Sequence, residues 1–390
     1  MDEILNLSID RMAGLSFACS CGKNHSVGIK KIVVEEGAVN RTAGIAAEFA
    51  GNGRMFLTAD ANTYRVCGER VKELLTGSGL QVKTCVFDGP GTLVPDERAL
   101  GRLFMEIERD TSLIVAVGSG TLNDLSRFVA SRLNVPYMIV ATAPSMDGYA
   151  SVISPLIIQG FKKTFEAVGP CAIVADTAIL REAPVDMIRA GFGDILGKLT
   201  SLSDWDLARR LNNEDYCNTS AELIRRALER CISAVDGIEQ RDEKTIRYIT
   251  EALILSGVAI GLIGNSRPAS GAEHHMAHYW EMDALAKHEE HPLHGNAVGV
   301  GAVLISMLYE MARDRLPSDM DIPSSRQILE LLQKAGSCST PQQLGIGREL
   351  LRESLLHAKE IRPRYTLFSA LTAMGLLEDY AEQLTRRFYA

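Results

Sequence analysis

Six of the eight histidines fall between Ser266 and Gly301, in SRPASGAEHHMAHYWEMDALAKHEEHPLHGNAVGVG. His274 and His278 stand four apart in a stretch with helical character, so they share one face about a turn from each other. His294 follows a Pro-Leu break and opens another apolar helical pattern. It is too far along the chain to share a helix face with His274, so these imidazoles meet only if two helices converge. Converging imidazoles serve a metal or a proton relay. A tripod needs a third ligand, commonly a carboxylate. The best candidate is Asp194 in RAGFGDILGKLTSLSDW, which follows two glycines and opens the apolar run Ile195, Leu196, Leu199, Leu202. An aspartate capping the start of a helix reads the same way, and both roles fit one residue. His288 and His291, in KHEEH, read as surface histidines beside acidic neighbours.

The elements that must position these groups come in two kinds. Short apolar runs read as strands at Lys31–Glu35, Arg54–Thr58, Gln81–Phe87, Ser112–Val117, Tyr137–Ala141 and Cys171–Val174, with helical patterns between them such as Asp96–Arg109. Strands alternating with helices predict βαβ units and a parallel sheet. Ser151–Thr164 reads as a hairpin. From Pro184 on, helical periodicity is almost continuous, as in Ala221–Ile238 and Glu243–Ile263. The fold class expected is therefore an α/β N-terminal nucleotide-binding domain with a parallel sheet, residues 1–175, followed by an all-α C-terminal domain, residues 176–390.

Ligands bind beyond the carboxyl ends of such strands. Gly118-Ser119-Gly120 there precedes Thr121, Leu122, Asn123 and Asp124, a tight turn into a helix whose free N–H groups suit a pyrophosphate. It is an incomplete dinucleotide fingerprint, because Asn123 stands where the third glycine belongs. Asp60, ending the second strand, suits a ribose hydroxyl or the cap of the next helix. Thr142, Ala143, Pro144, Ser145, Asp147 and Ser151 make a polar loop at another strand end, suited to ligand contact or to turn chemistry. Arg267, Lys162, Lys163 and Lys198 are the basic residues nearest the expected cleft, for a substrate phosphate. Cys19, Cys21 and His25 (CSCGKNH) are zinc-ligand types, but three ligands at this spacing match no common structural site.

The totals bound the rest. With 46% hydrophobic and 23% charged residues the chain has the composition of a soluble globular protein. A net charge of −8 argues against nucleic acid or an anionic membrane as partner. The apolar run Ala252–Ile263 is too short to span a bilayer and reads as a buried helix. The N-terminus carries no signal-peptide core, and eight scattered cysteines are not a disulfide framework, so a cytoplasmic setting is expected. Small-residue faces such as Ala297–Met307 suggest a homo-oligomer.

Together, GSGTLND (118–124), TAPSMDGYAS (142–151), GFGDILGKLTSLSDW (191–205), SRPASGAEHHMAH (266–278) and HPLHGNAVGVG (291–301) resemble the sn-glycerol-1-phosphate dehydrogenases, particularly their bacterial branch. These stand within the wider group of iron-dependent alcohol dehydrogenases, glycerol dehydrogenases and dehydroquinate synthases. The resemblance runs from about residue 30 to 310. It implies a dehydroquinate synthase-like fold with a metal in the cleft between the two domains. Asp194, His274 and His294 are the implied ligands, with His278, Asp147 and Asp194 as the catalytic set. Gly118, Gly120–Asp124, Thr142–Ser145 and Ser151 are placed against NAD or NADP. The implied reaction is reversible reduction of dihydroxyacetone phosphate, a small phosphorylated substrate, to sn-glycerol 1-phosphate by a dimer. The metal expected is zinc or nickel ahead of iron. The alternatives are a dehydroquinate-synthase-like cyclase or lyase, which uses the same parts without net redox, and a related polyol dehydrogenase. A metalloprotease fits poorly, because HHMAH lacks the glutamate of H-E-x-x-H.

Overall fold

Six parallel strands form the frame on which the N-terminal half is built. They are β3 (Lys31–Glu35), β4 (Arg54–Asp60), β5 (Val82–Phe87), β6 (Thr111–Gly118), β7 (Tyr137–Ala141) and β10 (Ala172–Asp176), in the order β3-β10-β7-β6-β4-β5. The structure is a computed structural model describing residues 2–89 and 91–389, so Pro90 of the loop after β5 lies outside the described residues. Two antiparallel pairs complete the strands: β1 (Ser16–Ala18) with β2 (Asn24–Ser26), and β8 (Ile153–Ile158) with β9 (Phe161–Glu166). Every residue of β7 and β10 is buried, as a sheet covered on both faces requires. Helices Thr42–Ala50 and Glu69–Gly77 cover one face through Ala43, Ile45, Ala46, Val71 and Leu75. Glu97–Glu106 and Gly120–Leu133 cover the other face near β4–β6. Near β10 and β7, that second face runs into the helical half, where Ile173 and Ala175 share a core with Ile188, Phe192 and Leu253.

After β10 all elements are helical. The expected parallel sheet, hairpin and helical half are all present. Two local readings change. Asp194 does not open a helix: its helix is Val185–Leu196, starting after Pro184, and Asp194 lies in the last turn. The Ala297–Met307 face does not point outward either. It belongs to His294–Met311, in which Ala297 through Tyr309 are all buried within the chain. Small residues there allow close packing inside the chain.

The packing is closest at glycine. A methyl group at Gly295 would fall 1.8 Å from the Ala190 carbonyl oxygen, and one at Gly193 would fall 2.4 Å from that of Gly295. Helices Val185–Leu196 and His294–Met311 therefore touch backbone to backbone. Gly301 brings Ala272–Lys287 close as well, since a methyl there would sit 2.8 Å from the Glu273 carbonyl oxygen. Gly191 does the same against the carbonyl oxygen of Pro144, at 1.9 Å, in the loop after β7.

Glu243–Ile263, at 21 residues, is long and apolar enough to cross a membrane by length and composition. However, 61% of its apolar window is buried inside the molecule, where Ile246, Ile249, Leu253 and Ile254 are core residues. The apolar run noted in the sequence is the second half of this core helix.

Gly295→Ala is expected to lower unfolding stability by at least about 1–3 kcal/mol, the cost of overpacking where only backbone can yield. Gly261→Ala, where a methyl group meets nothing within 4 Å, is expected to be neutral or stabilising by up to about 1 kcal/mol. Urea denaturation of both variants is the measurement, and equal effects would refute the packing account.

Candidate metal centre and cofactor cleft

The three close-packed helices each deliver one polar side chain to a single point. Asp194 comes from the last turn of Val185–Leu196, His274 from the first turn of Ala272–Lys287, and His294 is the first residue of His294–Met311. One ligand atom from each lies within 4.8 Å of the others. His274 Nε2 is 3.6 Å from Asp194 Oδ1, and the rings of His274 and His294 are 5.4 Å apart. Asp194 is fully buried and His274 is 4% exposed. The neighbouring His275 is not part of this group, and both its ring nitrogens are buried without a hydrogen-bond partner.

The donor set suits a divalent cation. Burial alone would raise the Asp194 carboxyl, but Lys198, His274 and His294 hold it well below the usual carboxylate range. Burial lowers His294 to about 4, so its imidazole is neutral and carries a free lone pair. Burial and Lys198 push His274 down, but Asp194 and Glu273 outweigh them and raise it above its ordinary value. A buried carboxylate facing two imidazoles makes a locally negative site that a cation would answer. The Glu273 carboxylate lies 2.7 Å from His274 Nδ1, which fixes the proton there and turns Nε2 toward Asp194. Glu273 is itself held by Gly271 N–H (2.6 Å) and the Thr200 hydroxyl (2.8 Å).

Around this point lies a second layer of charge. Lys198, 1% exposed, donates to Asp194 Oδ1 and to Asp147 Oδ2, both at 2.7 Å. Asp147 also accepts from Ser256 Oγ (2.8 Å), and its own N–H donates to Asp194 Oδ2 (2.9 Å). His278 lies one turn on from His274, its ring 5.3 Å from that of His294. Its Nδ1 is 3.4 Å from Glu281 Oε2, which also accepts from Lys162 Nζ at 2.5 Å. Burial, then Lys162, keep His278 well below its ordinary value and hence neutral. Arg362 reaches to 3.5 Å from His278 Nε2. Among the described residues no carboxylate lies within ion-pairing distance of Arg362.

This changes the reading of the basic residues. Lys198 and Lys162 face the cleft, but each is committed to carboxylates. Lys163 is exposed on β9, and Arg267 is turned away, bonded to Glu214 and to the Tyr365 carbonyl (2.7 Å). Three participants escaped sequence reasoning, and Lys198, expected to serve a substrate phosphate, is instead paired with Asp147 and Asp194. Glu273, beside His274, and Glu281, one turn from His278, had a local signal in their spacing. Lys198 stands four residues from Asp194 and could have been paired with it. Arg362 has no local signal, because only the fold brings it here.

The other side of the cleft is built from the ends of adjacent strands. Thr142 N–H donates to the Gly118 carbonyl (3.1 Å), which sets the glycine turn beside the loop after β7. Gly118 is required by packing, since a methyl there would meet Leu122 Cδ1 at 2.4 Å. Ser119 makes no side-chain cap to Gly120–Leu133, and its hydroxyl instead pairs with Ser145 Oγ at 2.7 Å. The first-turn N–H groups of Gly120, Thr121 and Leu122 lack intrahelical partners, as at any helix start. The side chains that follow turn inward. Leu122 is core, Asn123 donates to the Gly148 carbonyl (2.9 Å), and Asp124 pairs with the buried Arg127 (2.6 Å). Ala143 is buried, with its carbonyl bonded by the Tyr149 hydroxyl, and Ser151 Oγ accepts from Ile153 N–H (3.1 Å) within its own turn. Asp60 caps the next helix, its Oδ1 accepting from Thr63 N–H at 2.8 Å.

Residues 33–184 match the iron-containing alcohol dehydrogenase family model. The chain is 38% identical to a glycerol-1-phosphate dehydrogenase (NAD(P)+) of Halalkalibacterium halodurans, over 90% of this chain and 95% of that protein. An enzyme of the same name from Methanosarcina barkeri is 32% identical, over 92% and 94%. Among solved structures, a probable glycerol dehydrogenase of Sinorhizobium meliloti superposes with a TM-score of 0.72 at 18% identity, covering 93% of this chain and 98% of that one. The glycerol dehydrogenase of Schizosaccharomyces pombe gives 0.68 at 20% identity, covering 91% and 90%. The chain belongs to the glycerol-1-phosphate dehydrogenases, within the iron-containing alcohol dehydrogenase family.

Proposed function

We propose that this chain is a cytoplasmic enzyme that reversibly reduces dihydroxyacetone phosphate to sn-glycerol 1-phosphate with NADH or NADPH. In this reading a divalent metal, zinc or nickel, is held by Asp194, His274 and His294. The observation that carries it is the meeting of those three ligand atoms within 4.8 Å, with neutral His278 alongside. The cytoplasmic setting is supported by eight free cysteines. A dinucleotide-binding unit (1–175) and a metal- and substrate-binding unit (176–390) share the work, and the reaction lies at their seam.

When bound, the metal supplies a Lewis acid for the C2 oxygen, and the nicotinamide supplies the hydride. The protein does the rest. The Gly118–Gly120 turn and the helix start after it receive the pyrophosphate. Glu273 orients His274 through Nδ1. Lys198 and the Asp147 N–H fix both oxygens of Asp194. Glu281 holds the Nδ1 proton of His278 and leaves Nε2 to accept a hydrogen bond from a substrate hydroxyl or to carry a proton. Arg362, with no carboxylate to neutralise it among the described residues, is the cation placed for the substrate phosphate.

Purified protein incubated with NADH or NADPH and dihydroxyacetone phosphate should consume the reduced nicotinamide steadily. No turnover with zinc, nickel or ferrous iron supplied would overturn the assignment. Glu273→Gln is expected to weaken metal affinity by about 10- to 100-fold, the usual cost of losing the partner that orients a ligand histidine. Metal titration reads this independently of turnover, and unchanged affinity would exclude the orienting role. Arg362→Ala should raise KM for dihydroxyacetone phosphate by about 10- to 100-fold, the worth of a hydrogen bond to a charged group. Its KM for the nicotinamide nucleotide should stay unchanged, and a loss shared equally by both substrates would count against the phosphate role.

A further inference from the structure

Away from the cleft, four more metal-ligating side chains meet. β1 and β2 are joined by a tight turn in which Cys19 N–H donates to the Lys23 carbonyl (2.9 Å) and Gly22 N–H to the Cys19 carbonyl (3.0 Å). Gly22 adopts φ +85°, where glycine is favoured. This turn carries Cys19 and Cys21, and β2 carries His25, which is 3% exposed. The fold adds what their spacing lacked. Cys217, immediately before the helix Asn218–Ser233, closes the group from 198 residues beyond Cys19.

The distances are those of a coordination shell. Cys21 Sγ lies 3.3 Å from His25 Nε2, Cys217 Sγ lies 3.5 Å from the same nitrogen, and Cys19 Sγ lies 3.7 Å from Cys217 Sγ. All four ligand atoms fall within 4.8 Å of one another. A tetrahedral zinc with bonds of about 2.3 Å to sulfur and about 2.0–2.1 Å to nitrogen has edges of about 3.6–3.8 Å. The sulfur pair is far too long for a disulfide bond of about 2.05 Å. Polar groups surround the sulfurs: Ser220 N–H points at Cys217 Sγ (3.5 Å), and Thr219 Oγ1 lies 3.3 Å from Cys19 Sγ. Lys23 and Asp215, paired at 2.6 Å, clip the same two segments together.

We propose that Cys19, Cys21, His25 and Cys217 bind a structural zinc ion, separate from the Asp194–His274–His294 centre. Four protein ligands leave no open position, so the ion is structural rather than catalytic. Its task is mechanical. A two-stranded hairpin is marginal on its own, and the ion fastens this one to the helical half.

X-ray absorption at the zinc edge of the full-length protein distinguishes this site, because the proposed catalytic ligands contain no sulfur. Sulfur neighbours at about 2.3 Å are expected, with one zinc per chain released by a thiol-specific mercurial. That release should persist in Asp194→Asn and disappear in Cys217→Ser. Should Cys217→Ser fail to fold, Cys21→Ser, in the turn, reads the same loss. Zinc-loaded wild-type protein with no sulfur in its shell, or a Cys19–Cys217 disulfide found by mass spectrometry after alkylation, would overturn the proposal. Undiminished zinc release from a folded cysteine variant would do so as well.

Discussion

The close contact between helix backbones at glycine is the constraint on which the cleft depends. Side chains normally hold helix axes 8–10 Å apart. Removing the Cβ at Gly193 and Gly295 lets Val185–Leu196 and His294–Met311 meet directly, and Gly301 draws Ala272–Lys287 onto the same surface. Asp194 and His294 each stand one residue from a contact glycine, so the positions that set the approach also set the geometry of the proposed ligands. Gly191 extends this to the Pro144 carbonyl, tying the helical half to the loop beside the nucleotide turn.

Buried charge is the second organising feature, and Lys198 with Asp147 and Asp194 shows how it is answered at this centre. Lys198 could not be carried into the interior without Asp147 and Asp194 to answer it, nor they without Lys198. The same logic governs Arg127, wholly buried and bonded to Asp124, the Tyr137 hydroxyl and the carbonyls of Gly148 and Ile153. That one guanidinium joins the helix after the glycine turn, a sheet strand and the polar loop, so the loop's shape is fixed before any ligand arrives. Asn123 does the same work from the neighbouring position by bonding Gly148. Residues in the glycine-turn motif thus divide between backbone groups that face outward and side chains that brace the cleft from behind.

Much of the architecture was legible along the chain because it rests on local rules. Apolar runs of strand length separated by helical patterns gave β3, β7 and the helix Glu243–Ile263 with their observed limits, since burial on both faces of a sheet writes itself into consecutive residues. The histidine cluster was legible for a similar reason: four-residue spacing on a helix is a geometric statement. Errors arose where a pattern has two solutions. Small residues at Ala297–Met307 suit an exposed oligomer face or a tightly packed interior, and an aspartate after glycines suits either end of a helix.

Composition and spacing alone determined the parallel α/β half, the helical half and the chemical types available in the cleft, because these follow from periodicities of two and 3.6 residues. Tertiary structure decided which groups work together. It added Arg362 to His278, turned Arg267 away, locked Lys198 between two carboxylates and brought Cys217 to Cys19, Cys21 and His25. Apart from the four-residue step from Asp194 to Lys198, none of these pairings has a sequence period, for each joins segments whose separation in the chain says nothing about their distance in space.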